Sequence, residues 1–305
     1  MLANRVKKTF KQLYKRFEQR QIGAFRLYDR DIPEIRVVVD WYEGHLVVGE
    51  YARTQTDALP GWLDALAGTV AVALAVGPDR VHVKRRQTRP AGGAQRYAKL
   101  GQSERRFEVR EGDLRFLVNL DDYLDTGLFP DHRETRQRVR AESSGKAMLN
   151  LFGYTGTFTC HAARGGAAST TTVDASSRYL AWAKDNLELN RLAGAKQELV
   201  RDDVAAWLAR MARGSRKWQV VVLDPPSFSD KGEGLDVQRD HRGLVEATLP
   251  LVSPGGLLYF STNHQRFEPR LDGLAGVSEC VEITEDTVPD DYRNRQVHRC
   301  WRIVR

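Results

Sequence analysis

The feature that most constrains this chain is an alternation that begins at residue 147. Short apolar runs of strand length are each followed by a longer amphipathic segment: Ala147–Phe152 then 155–164, and Thr170–Val173 then 176–190. Further strands are predicted at Glu198–Arg201, Gln219–Leu223 and Gly256–Ser261, with a helix over 237–250. Two closing strands fall near 278–284 and 296–304, separated only by the charged stretch Glu285–Asn294, so they should pair antiparallel. Strands that alternate with helices fold as a doubly wound, largely parallel sheet. The expectation is a seven-stranded, Rossmann-like α/β domain.

The first hundred residues have a different pattern. Leu2, Val6, Phe10, Leu13 and Phe17 recur at helical spacing, with Lys7, Lys8, Lys11, Lys15 and Arg16 on the wetter faces. Strands follow at Phe25–Tyr28, Ile35–Val39 and Leu46–Tyr51, the last two joined through Glu43-Gly44. A helix is predicted over 56–76 with Leu59, Trp62, Leu63, Leu66 and Val70 inward, then a strand at Val81–Lys84. Residues 87–104 are polar and glycine-containing and read as a flexible basic linker. Phe107–Arg110 and Arg115–Val118 flank Glu111-Gly112-Asp113 as a hairpin. The predicted organisation is a basic helix at 1–22, a small α+β domain of RNA-binding type with its linker at 23–104, and the Rossmann-like domain at 105–305.

Composition narrows the class. With 41% hydrophobic and 29% charged residues among 305, the chain is an ordinary globular protein, not a disordered one. Its longest apolar run, Leu66–Val76, is too short for a bilayer, and no cleavable leader is visible, so a cytoplasmic location without membrane contact is expected. Cys160, Cys280 and Cys300 show no CxxC spacing, which argues against disulfides and zinc. All three thiols are expected to be buried. His161, His241, His264 and His298 lack metal-ligand spacing, so no metal is expected; each is read as structural, with a place near nucleic acid as the alternative for His241 and His298. The net charge of +7 is uneven: residues 1–20 hold seven Lys or Arg against one acid, and residues 84–110 hold nine against two. Such patches suit a phosphate backbone.

Two short segments carry the chemistry. The first predicted strand of the alternation runs into Phe152-Gly153-Tyr154-Thr155-Gly156. Glycines here let the backbone approach a ligand at the carboxyl edge of the sheet. The spacing is not GxGxxG, and it suits an amino acid joined to a nucleoside better than a pyrophosphate. Asp174 closes the next strand 18 residues after Gly156, where an acid accepts from both ribose hydroxyls or else caps the following helix. Asp203, after the third strand, is the favoured acceptor for an adenine amine, with helix capping as its alternative.

The fourth strand ends in Asp224-Pro225-Pro226-Ser227-Phe228. Consecutive prolines fix the backbone and remove donors, leaving Asp224 and nearby carbonyls as acceptors. Phe228 offers a face on which a flipped base can stack. Asp224, Pro225, Pro226 and Phe228 are the candidate catalytic residues. Cytosine-C5 chemistry requires a thiolate, and none of the cysteines lies in this loop.

Asp-Pro-Pro after the fourth strand resembles methyltransferases acting on nucleic-acid nitrogens. Asp31–Glu34, Thr126–Arg133, Asn150–Gly156, Asp236–His241 and Arg295–His298 together are similar to the K portion of the bifunctional large-subunit ribosomal RNA methyltransferases K/L. The likeness runs over nearly the whole chain, with Pro130 standing where an aliphatic residue is usual. It implies a class I methyltransferase fold, S-adenosylmethionine as cofactor, and N7-methylation of a guanine in large-subunit ribosomal RNA or its precursor. The family's segment like Thr126–Arg133 covers the methionine end of the cofactor. The resemblance thus implies cofactor contacts from Asp131, Arg133, Asn150, Phe152, Tyr154, Thr155, Gly156, Asp174, Asp203 and Asp224. The RNA-binding and guanine-N2 domains that precede this portion in the fusions have no counterpart in the given sequence, which resembles a free-standing K unit or a piece of a longer fusion. The loop alone leaves guanine N7 and an exocyclic amine both open. A non-catalytic ribosome-assembly factor is the reading from another class.

Overall fold

The apolar stripe at the start of the chain forms helix α1 (Leu2–Gln19) in the computed structural model, which describes residues 1–51, 56, 58–86, 101–227 and 234–305. The chain divides into two units: Met1–Pro130 with Asp290–Asn294, and Asp131–Pro289 with Arg295–Arg305.

In the first unit, β1 (Ala24–Asp29), β2 (Val37–Tyr42), β3 (His45–Tyr51) and β4 (Val81–Arg86) form a sheet in that order. The first three are antiparallel and β4 runs parallel to β3. Glu43 and Gly44 both take positive φ, 45° and 92°, the conformation a two-residue hairpin turn requires. Helix α2 (Trp62–Leu74) packs against α1, and Val6, Phe17, Phe25, Leu46 and Val70 meet in one core. The helix starts later than its apolar pattern predicts. Pro60 and a left-handed Gly61 break the run, and Leu59 is left 51% exposed instead of facing inward.

The hairpin β5 (Phe107–Glu111) and β6 (Leu114–Val118) belongs to this first unit, although the sequence pattern places the boundary at 105. Its anchors are local. The Gly112 N–H donates to the Gln21 carbonyl at 3.0 Å, and the Gly23 N–H donates to the Arg110 carbonyl at 2.8 Å. The Arg110 guanidinium reaches Glu43 at 2.7 Å and Glu18 at 3.0 Å. Residues 290–294 join in the same way: the Arg26 N–H donates to Asp291 at 2.8 Å and its guanidinium lies 4.6 Å from the Tyr292 ring centroid. Most of the basic linker, 87–100, lies outside the described residues.

The second unit carries β7 (Ala147–Leu151), β8 (Ser169–Asp174), β9 (Gln197–Arg201), β10 (Trp218–Leu223), β11 (Val252–Thr262), β12 (Glu279–Glu282) and β13 (Arg299–Val304). Their order is β12-β13-β11-β10-β7-β8-β9. β9, β8, β7, β10 and β11 are parallel, and β13 is antiparallel to both its neighbours. The helices are α3 (Arg133–Glu142), α4 (Thr157–Arg164), α5 (Ser177–Leu189), α6 (Val204–Met211), α7 (Val237–Thr248) and the single turn α8 (Thr284–Thr287). Leu149, Leu151, Val221, Leu223, Leu258, Phe260 and Trp301 fill one core. The alternating pattern did not reveal α3, α6 or α8. Helix α3 buries Arg133, Thr135 and Arg136 beside only one aliphatic residue, Val139, so it lacks an apolar stripe. The α8 turn interrupts a charged stretch read as helix-free. Strand order reverses between β7 and β10, which opens a crevice at the carboxyl ends of those strands. No described helix is long and apolar enough to cross a membrane.

Candidate cofactor and catalytic site

The turn after β7 is built from unusual backbone. Phe152 and Tyr154 take φ of 56° and 48°, and Gly156 takes 73°. Non-glycine residues in this region cost about 1–3 kcal/mol each and persist where a site requires them. Gly153 has no room for a side chain: a Cβ there would stand 2.2 Å from Thr172 Cγ2. A Cβ on Gly156 would come within 2.7 Å of the Ala183 Cβ. The turn is therefore pressed onto β8 and α5 by close packing.

Side chains hold it from below. The Asn150 Nδ2 donates to Thr159 Oγ1 at 3.0 Å, and Thr159 pairs with Thr172 at 2.6 Å. The Asn186 Nδ2 donates to the Thr155 carbonyl at 2.8 Å. Asp174 accepts the Tyr154 N–H at 3.0 Å on one oxygen and the Ser176 N–H at 2.8 Å on the other. Ser176, not Asp174, takes the cap of α5, accepting from the Tyr179 N–H. Burial raises the Asp174 carboxyl above the usual range, opposed by those two N–H donors. Each of its oxygens keeps a lone pair for a hydroxyl donor. Tyr154 and Tyr179 meet edge to face at 4.6 Å beside this acid. Asp203 caps α6, accepting the Ala206 N–H at 2.9 Å on Oδ1. Asn150 and Thr155 are wholly interior, so they support the turn from within.

The second cluster is assembled at the end of β10. Ser261 Oγ donates to Asp224 Oδ1 at 2.6 Å. Burial pushes the Asp224 carboxyl up to about 6, with Ser261 and the nearby His298 pulling it back down. His132 Nε2 lies 3.8 Å from Asp224 Oδ2 and 3.9 Å from Asp131 Oδ2. His298 Nδ1 lies 3.1 Å from Asp131 Oδ2, and its Nε2 lies 3.2 Å from Thr287 Oγ1. The two imidazoles are stacked at 4.1 Å with planes 15° apart. Burial lowers the His298 pKa, and the adjacent His132 lowers it further, while Asp131 opposes both. Asp131, His132 and His298 are enough groups for a cation. Their rings are nearly parallel, however, so the in-plane lone pairs do not converge on one point. The cluster is a charge and hydrogen-bond network around Asp224.

Past Asp224, the loop is pinned by Ser227 Oγ donating to Asn263 Oδ1 at 2.5 Å and by the Val237 N–H donating to the Ser227 carbonyl at 3.2 Å. Phe228 lies outside the described residues. Arg133 is buried at the start of α3, its Nε 3.6 Å from Glu134 Oε1. Of the segment Thr126–Arg133, residues through Pro130 fall in the first unit and Asp131 onward in the second.

Spacing alone missed His132, Ser261 and Thr287, and left His298 as structural. His298 and Asp131 are 167 residues apart, so no local signal joins them. His241 is structural as expected. Its Nε2 accepts the Arg270 N–H at 2.9 Å, so Nδ1 carries the proton and donates to the Val237 carbonyl at 2.9 Å. Cys160 and Cys300 are buried, and burial pushes the Cys160 thiol up to about 12. Cys280 is exposed on β12, contrary to expectation, because that strand forms the sheet edge.

Residues 24–277 match the family model described as S-adenosylmethionine-dependent methyltransferase. The chain is 41% identical over 308 residues to the ribosomal RNA large subunit methyltransferase K of Neisseria meningitidis serogroup B, covering 99% of this chain and 86% of that protein. It is 45% identical over 313 residues to the ribosomal RNA large subunit methyltransferase K/L of Allochromatium vinosum, covering 99% of this chain but 42% of that protein. The chain thus spans less than half of the fused relative. Its fold is shared with SMU.776, a putative methyltransferase crystallised with SAH, at a TM-score of 0.76 and 23% identity over 99% of this chain and 82% of that one.

Proposed function

The chain belongs to the S-adenosylmethionine-dependent methyltransferase family, and from that premise we propose that it forms 7-methylguanosine in large-subunit ribosomal RNA, working in the cytoplasm where ribosomes are made. Support for the substrate comes from the relatives named for that RNA. The observation that carries the chemistry is Asp224: an acceptor at the end of β10, held by Ser261, with a carboxyl poised near 6, while the nearby thiol of Cys300 is buried, and burial and the Asp224 charge both push its pKa up.

The residues present fit the cofactor. The strained turn 152–156 offers backbone instead of side chains, and Asp174 keeps acceptor capacity for two ribose hydroxyls. Asp203 Oδ2 is the proposed acceptor for the adenine amine, and Asp131 faces the methionine end. When bound, S-adenosylmethionine supplies a methyl group already activated by sulfonium charge.

Guanine N7 keeps an in-plane lone pair, so no proton leaves before attack, and the chain's task is orientation. Ionised Asp224 accepts from the guanine N1–H or its exocyclic amine. Its negative charge also offsets the positive charge that the purine acquires. Pro225 and Pro226 fix the carbonyls that flank it, and Phe228 is assigned the stacking face. Mass spectrometry of nucleosides from ribosomal RNA treated with the protein should show 7-methylguanosine. N2-methylguanosine in its place would move the assignment to an exocyclic amine. Absence of S-adenosylmethionine binding by calorimetry would favour a non-catalytic assembly factor.

A further inference from the structure

Helix α1 carries charge that no other described residue pairs with. Successive residues of an α-helix are 100° apart, which places Lys7, Lys11, Lys15 and Lys8 within about 100° of arc. Leu2, Val6 and Phe17 occupy the opposite side and are buried in the first unit's core. All four lysines are exposed, and among the described residues none makes an ion pair. The other cations of this helix are engaged. Arg5 reaches Asp31 at 2.9 Å, and Arg16 reaches Asp290 at 2.6 Å. The one acid of the helix, Glu18, is taken by Arg110. The lysine face is thus an uncompensated row about 12 Å long from Lys7 to Lys15.

Lysines four apart on a helix stand about 5–6 Å from one another, close enough to meet neighbouring phosphates along one strand. Tyr14, 39% exposed at the edge of the row, offers an aromatic face. We propose that the Lys7–Lys8–Lys11–Lys15 face of α1 is a docking surface for the phosphate backbone of the RNA substrate, gripping it without reading its sequence. This rests on the ribosomal RNA reading above. An anionic membrane would also attract such a row. Surface insertion, however, needs a free apolar face, and that of α1 is spent on the core.

The test uses the full chain and transcribed large-subunit ribosomal RNA. Binding is measured from 50 to 300 mM KCl for the parent, for Lys7→Gln/Lys11→Gln/Lys15→Gln, and for the matching Lys→Arg triple. Each lysine on a phosphate contributes about one to the slope of log affinity against log salt. The glutamine triple should therefore lose about two to three from that slope and bind about tenfold or more weakly at low salt. The arginine triple should match the parent, and S-adenosylmethionine affinity should be unchanged in both. An unchanged salt slope in the glutamine triple, with methylation by the parent intact, overturns the docking surface alone. A lowered slope with no 7-methylguanosine from the parent overturns the N7 reading alone. Lysine-dependent binding to phosphatidylserine vesicles with RNA affinity unchanged overturns the RNA docking surface, in favour of a membrane contact.

Discussion

The turn after β7 and the cluster at the end of β10 lie in the same crevice of the second unit, yet they are built in opposite ways. The turn is contiguous chain: five residues in a row, forced into place by a glycine with no room for a Cβ and by an acid at the end of the neighbouring strand, β8. The Asp224 cluster is gathered from β10, β11, α8 and the segments before α3 and β13. The turn stores backbone strain, whereas the cluster stores the cost of burying ionisable groups. The difference teaches that binding and chemistry can be perturbed separately here.

The sharpest break is Asp224→Ala. Removing the acceptor should lower kcat by about a hundredfold to a thousandfold, with cofactor affinity nearly unchanged in calorimetry. Equal loss of both would collapse the distinction. Asp174→Ala is the converse. Losing charge-assisted hydrogen bonds of about 1.5–3 kcal/mol should weaken S-adenosylmethionine about tenfold to a hundredfold, with kcat at saturation largely kept. Gly153→Ala drives a methyl into Thr172 and should lower unfolding stability by about 1–3 kcal/mol, read by chemical denaturation.

The pH profile separates the two regions further. Asp224 must be ionised to accept, so kcat should fall as pH drops through about 6. His298 lowers that pKa, so His298→Asn should move the acid limb to higher pH, while a merely structural role would leave it in place. The smallest effect concerns stability. Asp224 is raised in the folded chain, so its ionised form opposes folding at neutral pH, and that penalty starts to shrink as pH falls below about 6 and is gone only below the ordinary carboxylate range. Asp224→Asn should therefore be no less heat-stable than the parent at pH 7.5, with any advantage shrinking towards pH 5 in calorimetric scans.

The same contrast explains what could be read in advance. Gly153, Gly156, Asp174 and Asp224 declare themselves because a strand, a turn and the next helix are adjacent in sequence. The antiparallel end of the sheet was equally legible, since no helix-length segment separates its strands. His132 and His298 were not, because only the closed sheet brings the start of α3 and the start of β13 together. Helix α3 hid behind its buried arginines, and the hairpin at 107–118 looked like part of the larger domain until its bonds to Gln21, Gly23 and Glu43 placed it in the first unit. Arg133, expected at the cofactor, is buried at the start of α3.

One consequence follows from the place of β13. It lies between β11 and β12, so β12 touches the sheet only through a strand that comes after it in the chain. As the polypeptide is made from its amino end, β12 emerges with no partner to join and must wait. His298, one residue before β13, arrives with the strand that ends this wait. The sheet edge and the histidine pair are thus completed in one late event, and a chain stopped short of β13 would lack both.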